Sequence, residues 1–133
     1  MTPHFWSGEQ RPLRITCGRG IAPYLRAELD ALGVAVTGET PAGVDAMGTL
    51  ADTLRMNLRL RTALRVLWEA ARVEADKPER LYAQAAELPW EEWIAADGYV
   101  CVNGFTQTSS IRDSRFAALT LKDAIVDRIQ KTR

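Results

Sequence analysis

Between residues 13 and 33 the hydrophobic pattern changes period once, and that change predicts a strand followed by a helix. LRITC, residues 13–17, alternates apolar and polar positions as a half-buried strand does. Gly18 and Gly20 interrupt it, and Pro23 suits the first turn of a helix, where a missing N–H costs no hydrogen bond. Ile21, Leu25, Leu29 and Leu32 then recur at helical spacing, up to a Gly33 that can take the left-handed turn ending many helices. VAVTGE suits a second strand. Pro41 to Gly43 suits a turn into a short run at Val44 to Met47, which together make a hairpin.

Leu50, Leu54 and Leu58 mark a second helix. Beyond it two periods compete: Leu60, Leu64, Leu67 and Ala71 fit a helix, while Val66, Trp68 and Ala70 alternate like a strand. Asp76 and Glu79 form a capping box around Pro78 and predict a helix through Leu81, Ala85 and Leu88 that Pro89 ends, with PWEEWI as one further turn. GYVCVNGF, residues 98–105, is rich in β-formers and predicts a buried strand. A last helix, capped by Ser110 or Asp113, carries an apolar stripe of Ala118, Leu121, Ile125 and Ile129. Strands and helices in this alternation predict an α/β or α+β architecture.

Composition narrows the class. The 133 residues are 47% hydrophobic and 26% charged, the mix of a folded globular chain. That length holds one domain or two small lobes and is short for an enzyme with a separate cofactor-binding domain. No run approaches a membrane span and the opening MTPHFWSGEQ lacks the apolar core of a signal peptide, so the expected compartment is cytoplasmic. Cys17 and Cys101 are far apart, each in an expected strand, and are read as small core residues. His4 is the only histidine and has no ligand cluster nearby, so no metal site is expected.

Seventeen basic residues balance seventeen acidic ones, and the net charge is therefore uninformative. The distribution is not. Five arginines face one acid between 55 and 72, seven acids face Lys77 and Arg80 between 74 and 97, and six basic residues face three aspartates between 112 and 133. Such an order could gather a positive surface, or be ordinary solvated helix.

Chemistry-bearing constellations are few. CGRGIAP puts glycines before a helix N-terminus, but it lacks the third glycine and the Lys-Ser/Thr pair of a nucleotide loop and reads as a tight turn. Arg112, Arg115 and Lys122 project within about 80° of one another on a regular helix, with Ser109 and Ser110 in the loop before it. Arginine forks and hydroxyls there make a phosphate-contact set; Asp113, Asp123 and Asp127 allow a mixed-charge solvent face instead. Trp6, Trp68, Trp90 and Trp93 could stack on unpaired bases, or pack in cores and between lobes. A single histidine builds no catalytic triad, Glu91 and Glu92 point apart on any helix, and no Asn-Pro-Pro-Tyr-type motif occurs, so no catalytic residue is assigned.

Residues 105–129, FTQTSSIRDSRFAALTLKDAIVDRI, resemble the THUMP segment of bacterial large-subunit rRNA guanine-N2 methyltransferases, often labelled N6-adenine-specific DNA methylases. GIAPYLRAELDALG resembles the first helix of the ferredoxin-like lobe in that family, and NLRLRTALRVLWEA with LPWEEWI its junction and early THUMP segments. The resemblance covers most of residues 13–130. It implies an N-terminal segment over 1–11, a ferredoxin-like lobe over 12–72 and a THUMP domain over 73–133 that stops before the family's C-terminal end. It also favours a strand over the ambiguous 64–73 stretch. The implied function is noncatalytic: an RNA-binding module that positions structured large-subunit ribosomal RNA for an S-adenosylmethionine-dependent methyltransferase domain in cis or in trans, with no cofactor of its own. Implied RNA contacts are Ser109, Ser110, Arg112, Ser114, Arg115 and Lys122. The alternatives are a protein-interaction or regulatory module of the same fold without RNA affinity, and a chain that keeps enzymatic activity through a cofactor site not visible in its motifs.

Overall fold

The computed structural model describes residues 8–104 and 114–132. The chain divides into two compact units between Ala71 and Arg72. In the first unit, strand β1 (Arg11–Cys17) leads to helix α1 (Ala22–Ala31), strands β2 (Ala35–Thr40) and β3 (Gly43–Gly48), helix α2 (Leu50–Arg59) and strand β4 (Ala63–Trp68). The strands form one antiparallel sheet in the order β2-β3-β1-β4. This βαββαβ order is the ferredoxin-like lobe that the resemblance implies.

Alternation on β1 places Leu13, Ile15 and Cys17 in the core, where they meet Val44 and Ala46 of β3, Ala22, Leu25 and Leu29 of α1, and Met56 of α2. Gly20, at φ 87°, makes the turn after β1, and the backbone N–H groups of Cys17 and Gly20 donate to Ala42 and Pro41 in the hairpin turn. Gly33, at φ 76°, ends α1: its N–H donates to Asp30 and that of Val34 to Leu29, which satisfies carbonyls the helix leaves unpaired.

The helix expected from Leu50, Leu54 and Leu58 forms as α2, but buries a different face. The leucine stripe does not face the core, since Thr53 and Met56 are buried while Leu54 is 49% and Leu58 85% exposed. Residues four apart drift about 40° per step, so the intervals through Thr53, Met56 and half-buried Leu60 fit the helical period equally well. The capping box also forms here: Thr49 Oγ1 accepts from the Asp52 N–H at 3.1 Å and Asp52 Oδ2 accepts from the Thr49 N–H at 2.9 Å. Of the ambiguous 64–73 stretch, residues 69–73 are not strand; only the part to Trp68 is strand β4, whose Val66 and Trp68 pair with Ile15 and Leu13 and pack on the core. Its Leu64 and Leu67 point outward, 73% and 48% exposed.

The loop entering β4 is held from α1. Both Glu28 carboxylate oxygens accept from the Arg61 N–H, and Oε1 also accepts from the Thr62 N–H at 2.9 Å and from the Thr62 hydroxyl. The Thr62 hydroxyl bond, then these backbone bonds and the Arg61 charge, hold the Glu28 carboxyl below the ordinary carboxylate range against a smaller opposing effect of burial.

In the second unit the described elements are helices α3 (Pro78–Ala86), α4 (Trp90–Trp93) and α5 (Ser114–Thr132). α3 packs on α5 through buried Ala85, Ala124 and Ile125. The box expected at Asp76 does not form. Lys77 is the N-cap without a side-chain bond, Pro78 occupies the first turn, and Asp76 pairs with Arg80 at 3.6 Å. The strand expected at 98–105 is likewise absent over its described residues, 98–104, where Tyr99 is 93% exposed and Cys101 lies on the surface. β-forming residues make a strand only beside a partner, and no ladder meets this segment among the described residues. Cys17 alone is the core cysteine.

A methyl group on Gly43 would sit 2.5 Å from the Ile15 carbonyl oxygen, whereas one on Gly48 would meet the Leu13 Cδ1 methyl at 2.8 Å. Gly43→Ala is expected to cost about 2 kcal/mol or more, and Gly48→Ala less, because a side-chain tip can move and a paired backbone cannot; urea midpoints of the two variants test the ranking. Glu28→Gln should cost about 1 kcal/mol at neutral pH, allowing for solvent screening. Because the folded carboxyl titrates below its unfolded value, this contribution is present above the unfolded value and fades as pH falls through the folded one. The gap in melting temperature between Glu28→Gln and the parent should therefore close on acidification.

Candidate nucleic-acid interface

α5 carries the described part of the expected RNA-contact set. Arg115 and Lys122 lie seven residues apart, about 20° short of two full turns and about 10 Å along the axis, so both project from one exposed face. Between them Ala118 and Leu119, together with Val102 from the segment before α5, line a shallow depression of about 320 Å³. Lys122 keeps half its side chain exposed while its Nζ lies 3.6 Å from Asp123 Oδ1. Ser114 opens α5. Ser109, Ser110 and Arg112, with the caps expected at Ser110 and Asp113, lie outside the described residues, as do Trp6 and His4.

What fixes α5 is an ion pair that sequence reading did not anticipate. Arg128 donates through Nε and Nη2 to the two Glu91 oxygens at 3.0 and 2.9 Å, and through Nη1 to the Ala86 carbonyl at 3.3 Å. This two-pronged, half-buried pairing joins α4 and the end of α3 to α5. Glu91 raises the Arg128 pKa, so the guanidinium stays charged throughout the accessible pH range. Trp90 Nε1 donates to the Ala85 carbonyl at 2.7 Å, and its ring meets Trp93 edge-on at 5.1 Å. Trp68, Trp90 and Trp93 are each partly buried, in packing roles rather than as an exposed stacking platform.

On the α3 side of α5 the Tyr82 hydroxyl donates to Asp127 Oδ2. That bond first, then burial and the charges of Asp127 and Asp123, raises the Tyr82 pKa above the ordinary tyrosine value. No group of histidine, cysteine or carboxylate side chains among the described residues is arranged to hold a metal ion, and no helix of those residues is long and apolar enough to cross a membrane.

The first unit thus has the topology of a ferredoxin-like lobe, and the second presents a basic ridge on a long helix. Family models agree with this division. Residues 12–67 match the RlmL ferredoxin-like domain and residues 75–133 the THUMP domain. The chain thus carries an RlmL ferredoxin-like domain followed by a THUMP domain. It is 42% identical over 116 residues to the ribosomal RNA large subunit methyltransferase K/L of Syntrophotalea carbinolica and 37% identical over 115 residues to that of Magnetococcus marinus. Those alignments cover 87% and 86% of this chain, yet the chain spans only 16% of each relative's length. A solved structure described as a predicted N6-adenine-specific DNA methylase from Listeria monocytogenes superposes with a TM-score of 0.79 at 26% identity, covering 93% of this chain and 32% of that one.

Asp127→Asn removes the carboxylate that holds the Tyr82 proton and should bring the phenol's titration midpoint down toward about 10. Ultraviolet absorbance of tyrosinate, with Tyr82→Phe to assign the signal, reads the shift. Since the folded phenol titrates above its unfolded value, its contribution to stability is full below the unfolded midpoint and is lost as pH rises through the folded one.

Proposed function

We propose that this chain is an RNA-binding module that positions structured large-subunit ribosomal RNA for an S-adenosylmethionine-dependent guanine-N2 methyltransferase domain outside residues 1–133. The observation that carries the reading is the shared exposed face of Arg115 and Lys122 on the helix of the THUMP-matching segment. Phosphates of a folded RNA are spaced to meet such cations, and the guanidinium fork and the ammonium both donate to phosphate oxygens. Ser109, Ser110, Arg112 and Ser114 complete the proposed contact set. The names of the relatives support the RNA class and methyl transfer, and a structural neighbour described as complexed with SAH supports S-adenosylmethionine as the methyl donor of the catalytic partner domain. Ribosomal RNA as the partner puts the site of action in the cytoplasm.

A labelled hairpin of large-subunit rRNA, titrated with the chain at two salt concentrations, tests the proposal. Affinity should fall steeply with salt. Lys122→Ala should weaken every structured RNA by a similar factor, about three- to tenfold, and lower the salt slope by about one. A flat salt response, or unaltered binding by Lys122→Ala, would sink it in favour of a protein-interaction module.

A further inference from the structure

We propose that the groove between α3 and α5 binds an extended, basic protein segment in which lysine or arginine alternates with aliphatic residues. Its floor is Tyr82, Phe116 and Leu119, and its rim carries Glu79, Asp123 and Asp127, around an open volume of about 680 Å³. Phe116 and Leu119 are 50% and 51% exposed. Past the Tyr82–Asp127 hydrogen bond a second depression of about 460 Å³ is lined by Arg128 and Lys131, so the acidic part of the groove ends near Asp127.

Length, charge and surface chemistry converge on one occupant. From Phe116 to Asp127 the helix rises about 16 Å. An extended chain of about five residues spans that distance. Three carboxylates gather at the end where the two apolar side chains are exposed, so a cationic side chain can lay its aliphatic stem on Phe116 and Leu119 and keep its charge at the rim. The Phe116 ring adds a face suited to a cation. The Tyr82 hydroxyl donates a hydrogen bond to Asp127 and so fixes that carboxylate beside the floor. The same carboxylates repel a polyanion. Asp123 and Asp127 lie about 80° and 120° around α5 from Arg115 and Leu119 lines both depressions, so a basic segment here adjoins the basic ridge without lying on Arg115 or Lys122.

The test is fluorescence anisotropy of the full chain with a labelled lysine–leucine peptide of nine residues, its glutamate–leucine counterpart, and the rRNA hairpin as competitor. The lysine–leucine peptide should bind saturably and the glutamate–leucine peptide at least tenfold more weakly. The double variant Glu79→Gln, Asp123→Asn should weaken it about five- to tenfold, as expected for two exposed charge contacts. Phe116→Ser should weaken it by a similar factor with the circular dichroism spectrum unchanged, and Leu119→Ser serves the same purpose should Phe116→Ser unfold. Binding of both peptides alike, loss of neither affinity in the variants, or displacement of the peptide by the hairpin overturns the assignment.

Discussion

Strand β1 and helices α1, α2 and α5 each bury one face only, because lobes of this size have too little interior to enclose an element. The phase of each element therefore decides what is left for a ligand. On β1 the phase sends Leu13, Ile15 and Cys17 inward and turns Arg14 outward, where it bonds Asp45 at 3.0 Å and Thr40 at 2.8 Å across the sheet. On α2 it buries Thr53 and Met56 and exposes Leu58. On α5 it buries Ala124 and Ile125, which leaves Arg115 and Lys122 on one exposed face and Phe116 with Asp127 on another.

Phase is also what separates the legible from the illegible in the sequence. The order of elements in the first unit could be read because LRITC alternates, Gly33 stops α1 and Pro41 opens a hairpin turn, all local signals. β4 could not be read from pattern, since two periods fit equally; pairing of Val66 and Trp68 with Ile15 and Leu13, some fifty residues earlier, selects the strand. The phase of α2 was lost for a different reason. Three leucines four apart outweighed a Thr53 whose hydroxyl is satisfied by the Leu50 carbonyl and so can be buried. Residues 98–104 show the converse error, in which β-forming composition was taken for a strand with no ladder partner among the described residues.

The candidate site was legible where it lies on one element. Spacing alone places Arg115 and Lys122 on a common face, and Thr49 with Asp52 spelled a capping box that the leucine pattern obscured. The groove and the Arg128 clamp were not legible, because they join residues 45 and 37 positions apart on different helices. Only the packing of α3 and α4 on α5 gives those pairs meaning.

A neutral chain that is proposed to bind RNA needs its charges separated on the scale at which they act. Screening at physiological salt has a length of about 8 Å, while an α-helix with its side chains is about 10–12 Å across. The two sides of α5 are thus electrostatically distinct at contact distance even though their fields cancel far away. The Lys122–Asp123 pair sits on the boundary, at 3.6 Å and half exposed, where solvent weakens the attraction enough for Lys122 to exchange a carboxylate for a phosphate at little cost. On the proposed reading, recognition along this helix would depend on docking geometry more than on long-range steering, and a balanced net charge is compatible with it.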